Sequence, residues 1–214
     1  MQAKLPRLYP ILDTGTLARR GMDAVEAAGA MIEGGAEILQ LRHKGRFTRG
    51  DFAAAERIAG LCRNAGVPFI VDDRADVARL LGAGLHLGQE DLPPLLARKV
   101  IGPDAVIGFS THNAEQLRGA EAEPVDYVAA GPVYGTATKE NPDPVLGVDG
   151  LRELRRLTRR PLVAIGGITR ENAWDVLRAG ADSLAVIGDL MPEELTRASL
   201  RKRMEEWRML LGRT

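Results

Sequence analysis

The sequence predicts a (β/α)8 barrel, and three observations carry that reading. Short apolar runs alternate with amphipathic stretches along the chain, the pattern of a parallel sheet with crossover helices. Eight such units fit into 214 residues, about 27 residues each, and eight is the number that closes a barrel. The runs "ILQL", "FIV", "YVAA", "LVAI" and "LAVI" lack polar alternation, as strands covered on both faces do. An open doubly wound sheet is the rival, and the count of units favours the barrel. No linker or low-complexity segment divides the chain, so one domain over residues 1–214 is expected.

The elements follow in order. "RLYPILD" reads as the first strand, and "MDAVEAAGAMIEGG" as a helix stopped by Gly34 and Gly35. "AEILQLR" is the second strand. "TRGDFAAAERIAGLCRNAG" is a helix with Thr48 as its N-cap and Gly66 as its stop, since Ser or Thr opens helices and Gly closes them. "VPFIVDD" is the third strand, "ADVARLLGAG" a short helix and "LHLG" the fourth strand. "DLPPLLARKVIG" carries a helix whose prolines fit its first turn, where no backbone N–H is needed. "AVIGFS" is the fifth strand, "NAEQLRGAEA" a helix and "VDYVAAG" the sixth strand. "GPVYGTATKENPDPVLG" fits neither pattern. It reads as a long loop, and loops of that length are usually functional or disordered. "VDGLRELRRLT" is a helix, "PLVAIGG" the seventh strand, "RENAWDVLRAG" a helix and "DSLAVIG" the eighth strand. "PEELTRASLRKRMEEWRMLL" is the closing helix, with a solvated basic face.

Composition excludes several classes. Lys plus Arg and Asp plus Glu are both 29, so the formal net charge is zero and there is no global basic field for nucleic acid. One cysteine, Cys62, cannot form an internal disulfide and sits at a helical apolar spacing, so a buried structural thiol is expected. No charged-then-apolar leader is visible, and no apolar run approaches the roughly 18 residues of a spanning helix. The expectation is a cytoplasmic protein acting on small molecules, with no nucleic-acid or membrane partner; a homo-oligomer is compatible with the sequence.

In a barrel the active site lies at the C-terminal ends of the strands, and the polar residues gather there. Gln40, Arg42 and Lys44 follow the second apolar run at period-two spacing, hence on one face if the strand continues. Asp72 and Asp73 end the third strand, Asp91 follows the fourth, and Ser110 with His112 follows the fifth. Asp73 and Asp91 close consecutive strands. Two neighbouring carboxylates repel unless a cation lies between them or one is protonated, and oxygen ligands suit Mg2+. Both acids could instead be helix N-caps. Arg42 and Lys44 beside such a metal suggest a polyanion, through a guanidinium fork and a compact ammonium charge. Gly166 and Gly167, at a strand end before a helix, offer backbone N–H groups to a second anion, in the place where barrels often bind phosphate. Two anion sites imply two phosphorylated substrates or one bisphosphate. Of the three histidines, His43 should face outward, His86 should be a packed strand residue, and His112 is the candidate for proton transfer. No Ser-His-Asp or Cys-His arrangement is readable.

The segments "QLRHK", "DDRAD", "GLHLGQEDLP", "GFSTHN", "DYVAAGPVYGTATK", "VAIGGITREN" and "GADSLAVIG", in this order, resemble the thiamine phosphate synthase family over nearly the whole chain. The resemblance implies a Mg2+-dependent transferase on a (β/α)8 barrel. It would join a hydroxymethylpyrimidine diphosphate to a thiazole phosphate and release diphosphate. Gln40, Arg42 and Lys44 match the family's pyrimidine-diphosphate contacts, Ser110 and Lys139 further diphosphate contacts, and Asp73 and Asp91 its Mg2+ ligands. Thr136, Thr138, Gly167, Ile187 and Gly188 match its thiazole-phosphate side. Asp72 stands at a substrate-facing position where the family usually carries Asn, and Gly188 where it usually carries Ser. Two rival readings remain on the same fold: a thiazole tautomerase that shuttles protons through His112, and a non-catalytic ligand-binding relative.

Overall fold

The computed structural model describes residues 5–136 and 144–212. Thr138 and Lys139 lie outside the described residues. The chain forms a closed barrel of eight parallel strands in sequential order. The strands are β1 (Leu8–Asp13), β2 (Leu39–Arg42), β3 (Phe69–Asp72), β4 (Gly84–Leu87), β5 (Ile107–Thr111), β6 (Tyr127–Ala130), β7 (Leu162–Ile165) and β8 (Ser183–Val186). The barrel closes where β1 pairs with β8, Tyr9 lying opposite Ala185. The expected barrel is therefore the observed one, and the open sheet is excluded.

The helices are α1 (Thr14–Arg19), α2 (Ala24–Glu33), α3 (Arg49–Ala65), α4 (Ala75–Leu81), α5 (Pro94–Ile101), α6 (Ala114–Ala120), α7 (Gly147–Leu157), α8 (Ala173–Arg178) and α9 (Arg197–Leu211). The expected punctuation of α3 is observed. Thr48 forms a reciprocal capping box with Asp51, and Gly66 ends the helix in the left-handed region at φ 68. The closing helix begins later than its sequence pattern implied. Thr196 and Ser199 cap each other's backbone there, because a Thr hydroxyl satisfies open first-turn N–H groups that a mid-helix Thr cannot. Two short elements were not expected: α1, capped by Asp13, and a 3-10 turn, Gly188–Leu190.

Successive side chains of a strand point to opposite faces, and the buried residues separate accordingly. Outward residues such as Leu12, Leu39, Val71, Leu85, Val128 and Leu184 pack against the helices in one large core. Inward residues Tyr9, Ile11, Ile38, Ile70, Tyr127, Ala129, Val163 and Ala185 form a second, smaller cluster. Gly108 makes room for Tyr127 inside the barrel: a Cβ there would fall 2.0 Å from Tyr127 Cζ. Such overpacking typically costs about 1–3 kcal/mol. Cys62 is buried at 1 % exposure, as expected.

Candidate functional site

The inward parity that places Tyr9 and Ile11 inside the barrel also places Asp13 there at the end of β1. The same alternation puts Gln40 and Arg42 on β2, Asp72 on β3, His86 on β4 and Ser110 on β5 toward the interior. At comparable height on the other side, Ala129, Ile165, Ala185 and Ile187 are apolar. The mouth is thus polar over β1–β5 and apolar over β6–β8.

The sequence-predicted bases and acids are brought together. Lys44 Nζ lies 2.6 Å from Asp73 Oδ2 and 2.9 Å from Asp72 Oδ2. Arg42 Nη1 donates to Asp13 Oδ2 at 2.5 Å, and its Nε lies 3.9 Å from Asp72 Oδ2. Asp13 was not singled out from the sequence; its place at the end of the first apolar run, "LYPILD", was the available signal. Burial works against the charge on Lys44, yet Asp72 and Asp73 hold its pKa above the ordinary lysine value. Burial pushes the Asp72 carboxyl up, against the pull of Lys44 and Arg42. Burial also raises Asp91; its hydrogen bond from Gly88 N opposes this, and the neighbouring Asp73 carboxyl adds to it.

Neither Asp73 nor Asp91 caps a helix, so that alternative is corrected. The residue before α4 is Arg74 and the residue before α5 is Pro93, and neither cap makes a side-chain bond. Asp91 Oδ2 instead accepts from Gly88 N at 2.6 Å within its own turn. Asp73 has φ 62, and among the described residues it is the one non-glycine with a positive φ. Such backbone strain collects at functional sites. Asp73 Oδ1 is buried and has no hydrogen-bond partner among the described residues.

These features fit a hard divalent cation. Asp73 carries an orphan carboxylate oxygen, and its carboxyl helps to raise the pKa of the neighbouring Asp91, so a cation between them would relieve both. Mg2+ accepts one or two protein carboxylates and completes its shell with phosphate and water. Among the described residues no group of three or more His, Cys, Asp and Glu is placed to hold a metal ion by itself, so a fully protein-built cage does not form there.

On the other side, the loop after β6 runs along the end of β7. Val133 N donates to Ile165 O and Tyr134 N to Gly166 O, each at 2.9 Å. Its return is tied by Leu146 N to Pro132 O at 2.8 Å and Gly147 N to Val133 O at 3.1 Å. Gly167 has φ 62, and a Cβ there would fall 2.5 Å from Gly135 O. Only glycine suits that position. Thr136 sits at the described end of this loop, partly buried. Ile187 and Gly188 open the 3-10 turn, which Arg170 and Arg203 brace. Arg170 Nε donates to Asp189 Oδ2 at 3.0 Å, and Arg203 Nη1 to Asp189 O at 2.5 Å.

The histidines divide as follows. His43 Nδ1 bonds Thr14 Oγ1 at 2.9 Å, away from the bases. His112 Nδ1 lies 2.7 Å from Gly131 O and therefore donates to it. His86 is buried, as expected for a packed strand residue, but it is also polar-bonded on both ring nitrogens, to Tyr127 Oη at 3.0 Å and Ser110 Oγ at 2.9 Å. Burial pushes its pKa down to about 4, so the ring is neutral at physiological pH. No helix among the described residues is long and apolar enough to cross a membrane.

Fold and site define a (β/α)8 barrel whose mouth pairs two bases with an acid cluster. Its β7 end carries glycines at positive φ, and its β8 end a short 3-10 turn. Comparison with known proteins makes the assignment specific. The family model described as thiamine monophosphate synthase matches residues 8–190, and the chain belongs to that family. It is 46% identical over 199 residues to a thiamine-phosphate synthase of Koribacter versatilis, covering 92% of this chain and 94% of the relative. It is 42% identical over 197 residues to one from Chloroflexus aurantiacus, covering 92% and 90%. Among solved structures, thiamine phosphate pyrophosphorylase from Pyrococcus furiosus superposes with a TM-score of 0.83 at 35% identity, over 96% of this chain and 95% of that one.

Proposed function

We propose that this chain is a thiamine phosphate synthase. It joins an aminopyrimidine carrying a methyl diphosphate to a thiazole phosphate, giving thiamine phosphate and free diphosphate. The observation that carries the reading is Lys44 spanning Asp72 and Asp73 at the polar side of the mouth, with Arg42 alongside. Two bases and the carboxylates beside them thus meet at one end of the barrel, as a metal-bound diphosphate requires.

The chemistry asks little of proton transfer. The methylene C–O bond breaks, and its electron pair leaves with the diphosphate. The electron-rich aminopyrimidine stabilises the resulting cation. The neutral thiazole nitrogen then donates its lone pair to that carbon and forms the C–N bond, so no strong general base is needed. Arg42, Lys44, Ser110 and Lys139 stabilise charge on the departing diphosphate, a preorganised electrostatic role. Gln40 contacts the pyrimidine diphosphate, and Asp72 faces the same substrate in place of an amide. Asp73 and Asp91 would hold Mg2+, which when bound supplies Lewis-acid stabilisation of the diphosphate oxygens. Thr136, Thr138, Gly167, Ile187 and Gly188 receive the thiazole phosphate. The apolar strands β6–β8 border the ring that must lie against the pyrimidine, and holding both rings in register supplies proximity. A cytoplasmic setting, where both phosphorylated substrates would be retained, belongs to the same reading.

The test is direct. The purified chain is incubated with both substrates and Mg2+, and thiamine phosphate and diphosphate are measured. Equal formation of the two supports the reading; absence of thiamine phosphate sinks it.

A further inference from the structure

A chain of hydrogen bonds crosses the barrel interior and links two of the substrate-facing residues through three that lie outside that set. Gln40 Nε2 donates to Tyr9 Oη at 3.2 Å. Tyr9 Oη lies 2.7 Å from Tyr127 Oη. Tyr127 Oη lies 3.0 Å from His86 Nδ1, and His86 Nε2 lies 2.9 Å from Ser110 Oγ. Tyr9 and Tyr127 are 1 % and 0 % exposed, so their protons must find partners inside the protein.

With Gln40 Nε2 turned toward Tyr9, the chain has one self-consistent polarity. The Gln40 amide donates to Tyr9 Oη, so the Tyr9 proton goes to Tyr127. The Tyr127 proton then goes to His86 Nδ1. A neutral imidazole carries a single N–H, which is left on Nε2 and points at Ser110 Oγ. Ser110 keeps its own proton, and no other described residue bonds its Oγ. The reverse polarity would make Tyr9 accept twice and leave its buried O–H without an acceptor among the described residues. An unmade buried hydrogen bond is strongly disfavoured. It would also turn the Ser110 proton inward, toward the imidazole.

We propose that His86 is a positioning residue, held as the Nε2–H tautomer by Tyr127, and that it commits the Ser110 hydroxyl to donate outward to the leaving diphosphate. The inference rests on the reading of Ser110 as a diphosphate contact. A serine hydroxyl facing an anion would otherwise divide its time between rotamers. With its acceptor side filled by His86 Nε2–H, the remaining proton is aimed before the substrate arrives, which is where preorganised electrostatics gains its advantage. His86 itself touches no reacting atom.

Two measurements on the intact protein test this. The first is the ring 15N spectrum of His86 in the wild type at neutral pH. The expected pattern is a protonated Nε2 and an unprotonated Nδ1, lost or mixed in Tyr127→Phe. A protonated Nδ1 in the wild type overturns the proposal. The second is the affinity for inorganic diphosphate with Mg2+, in the wild type, Ser110→Ala, His86→Leu and the double variant. Each single change should weaken binding by about tenfold or more. The double variant should be no weaker than Ser110→Ala, and His86→Gln, which can still donate from Nε2, should recover part of the loss. Independent, multiplying losses in the double variant overturn the proposal, as does full affinity in His86→Leu. If the wild type binds diphosphate and shows the Nε2–H tautomer but makes no thiamine phosphate, the proposed function fails while the positioning role stands.

Discussion

Asp13 and Arg42 are direct register partners across β1 and β2, and their side chains meet at 2.5 Å. Asp13 therefore sets where the Arg42 guanidinium sits. Asp13 also accepts from Thr16 N at 2.7 Å and so starts α1. Burial pushes its pKa up, but Thr16 and the Arg42 guanidinium outweigh this and hold it below the usual value of 3.8. Asp13→Asn keeps a capping side chain but removes the charge. Stability at pH 7 should fall by about 1–3 kcal/mol. A carboxyl that binds its proton less readily when folded contributes stability that is fully present above 3.8 and is lost as pH falls through the lower folded value. Urea melts of wild type and Asp13→Asn should therefore differ at pH 7 and converge as the pH is taken well below 3.8; a gap that widens in acid would contradict the assignment.

Asp72 is the buried acid, 7 % exposed, that shares Lys44 with the proposed metal ligand Asp73. Asp72→Asn would free part of the Lys44 charge for substrate and supply an amide donor. The KM for the pyrimidine diphosphate should fall by roughly two- to fivefold. A large rise in KM would mean that Asp72 belongs with the metal ligands.

Two glycines of the phosphate side should behave oppositely. Gly167 has φ 62 and no space for a Cβ, whereas nothing lies within 4 Å of a Cβ built at Gly188. Gly167→Ala should displace the loop after β6 and raise the KM for thiazole phosphate by about tenfold, in proportion to a strain of roughly 1–3 kcal/mol. Gly188→Ser should fold normally, with stability within about 0.5 kcal/mol. It should lower that KM by adding a hydroxyl. Kinetics with the thiazole phosphate varied would read both, and equal effects would contradict the assigned backbone geometry.

Cys62 offers a check on the core. It is 1 % exposed, and burial pushes its thiol up to about 12. Thiol reagents attack the thiolate, so labelling at neutral pH should be no faster than opening of the α3 region. Rapid labelling of native protein would show that this part of the core is looser than described.

The barrel was legible because its signal is local and repeated. Apolar runs, Thr48, Gly66 and the α5 prolines each act within a few residues. The convergence of Lys44, Asp72 and Asp73 was legible for the same reason: they follow apolar runs in a fold whose strand ends face one mouth. What escaped depends on closure of the sheet. Tyr9 meets Tyr127 across 118 positions, and Tyr127 meets His86 across 41. Nothing near His86 in "GLHLGQ" records that both its nitrogens are engaged. The pairing of Asp13 with Arg42 likewise depends on β1 lying beside β2. The short α1 and the 3-10 turn at Gly188–Leu190 carry too few residues to show a period. The positions Thr138 and Lys139, read from the sequence as anion contacts, fall outside the described residues and rest on the family resemblance and the loop's pinned flanks.

If the Asp73–Asp91 pair holds the cation on which diphosphate departure depends, loss of the Asp73 charge should disable the reaction. The most direct test is the rate of thiamine phosphate formation by Asp73→Asn, measured across a Mg2+ titration with both substrates saturating and compared with the wild type. A rate at least about a hundredfold lower is expected, with a shift of the Mg2+ dependence to higher concentration. A variant that matches the wild type in both rate and Mg2+ dependence would contradict the Asp73–Asp91 assignment.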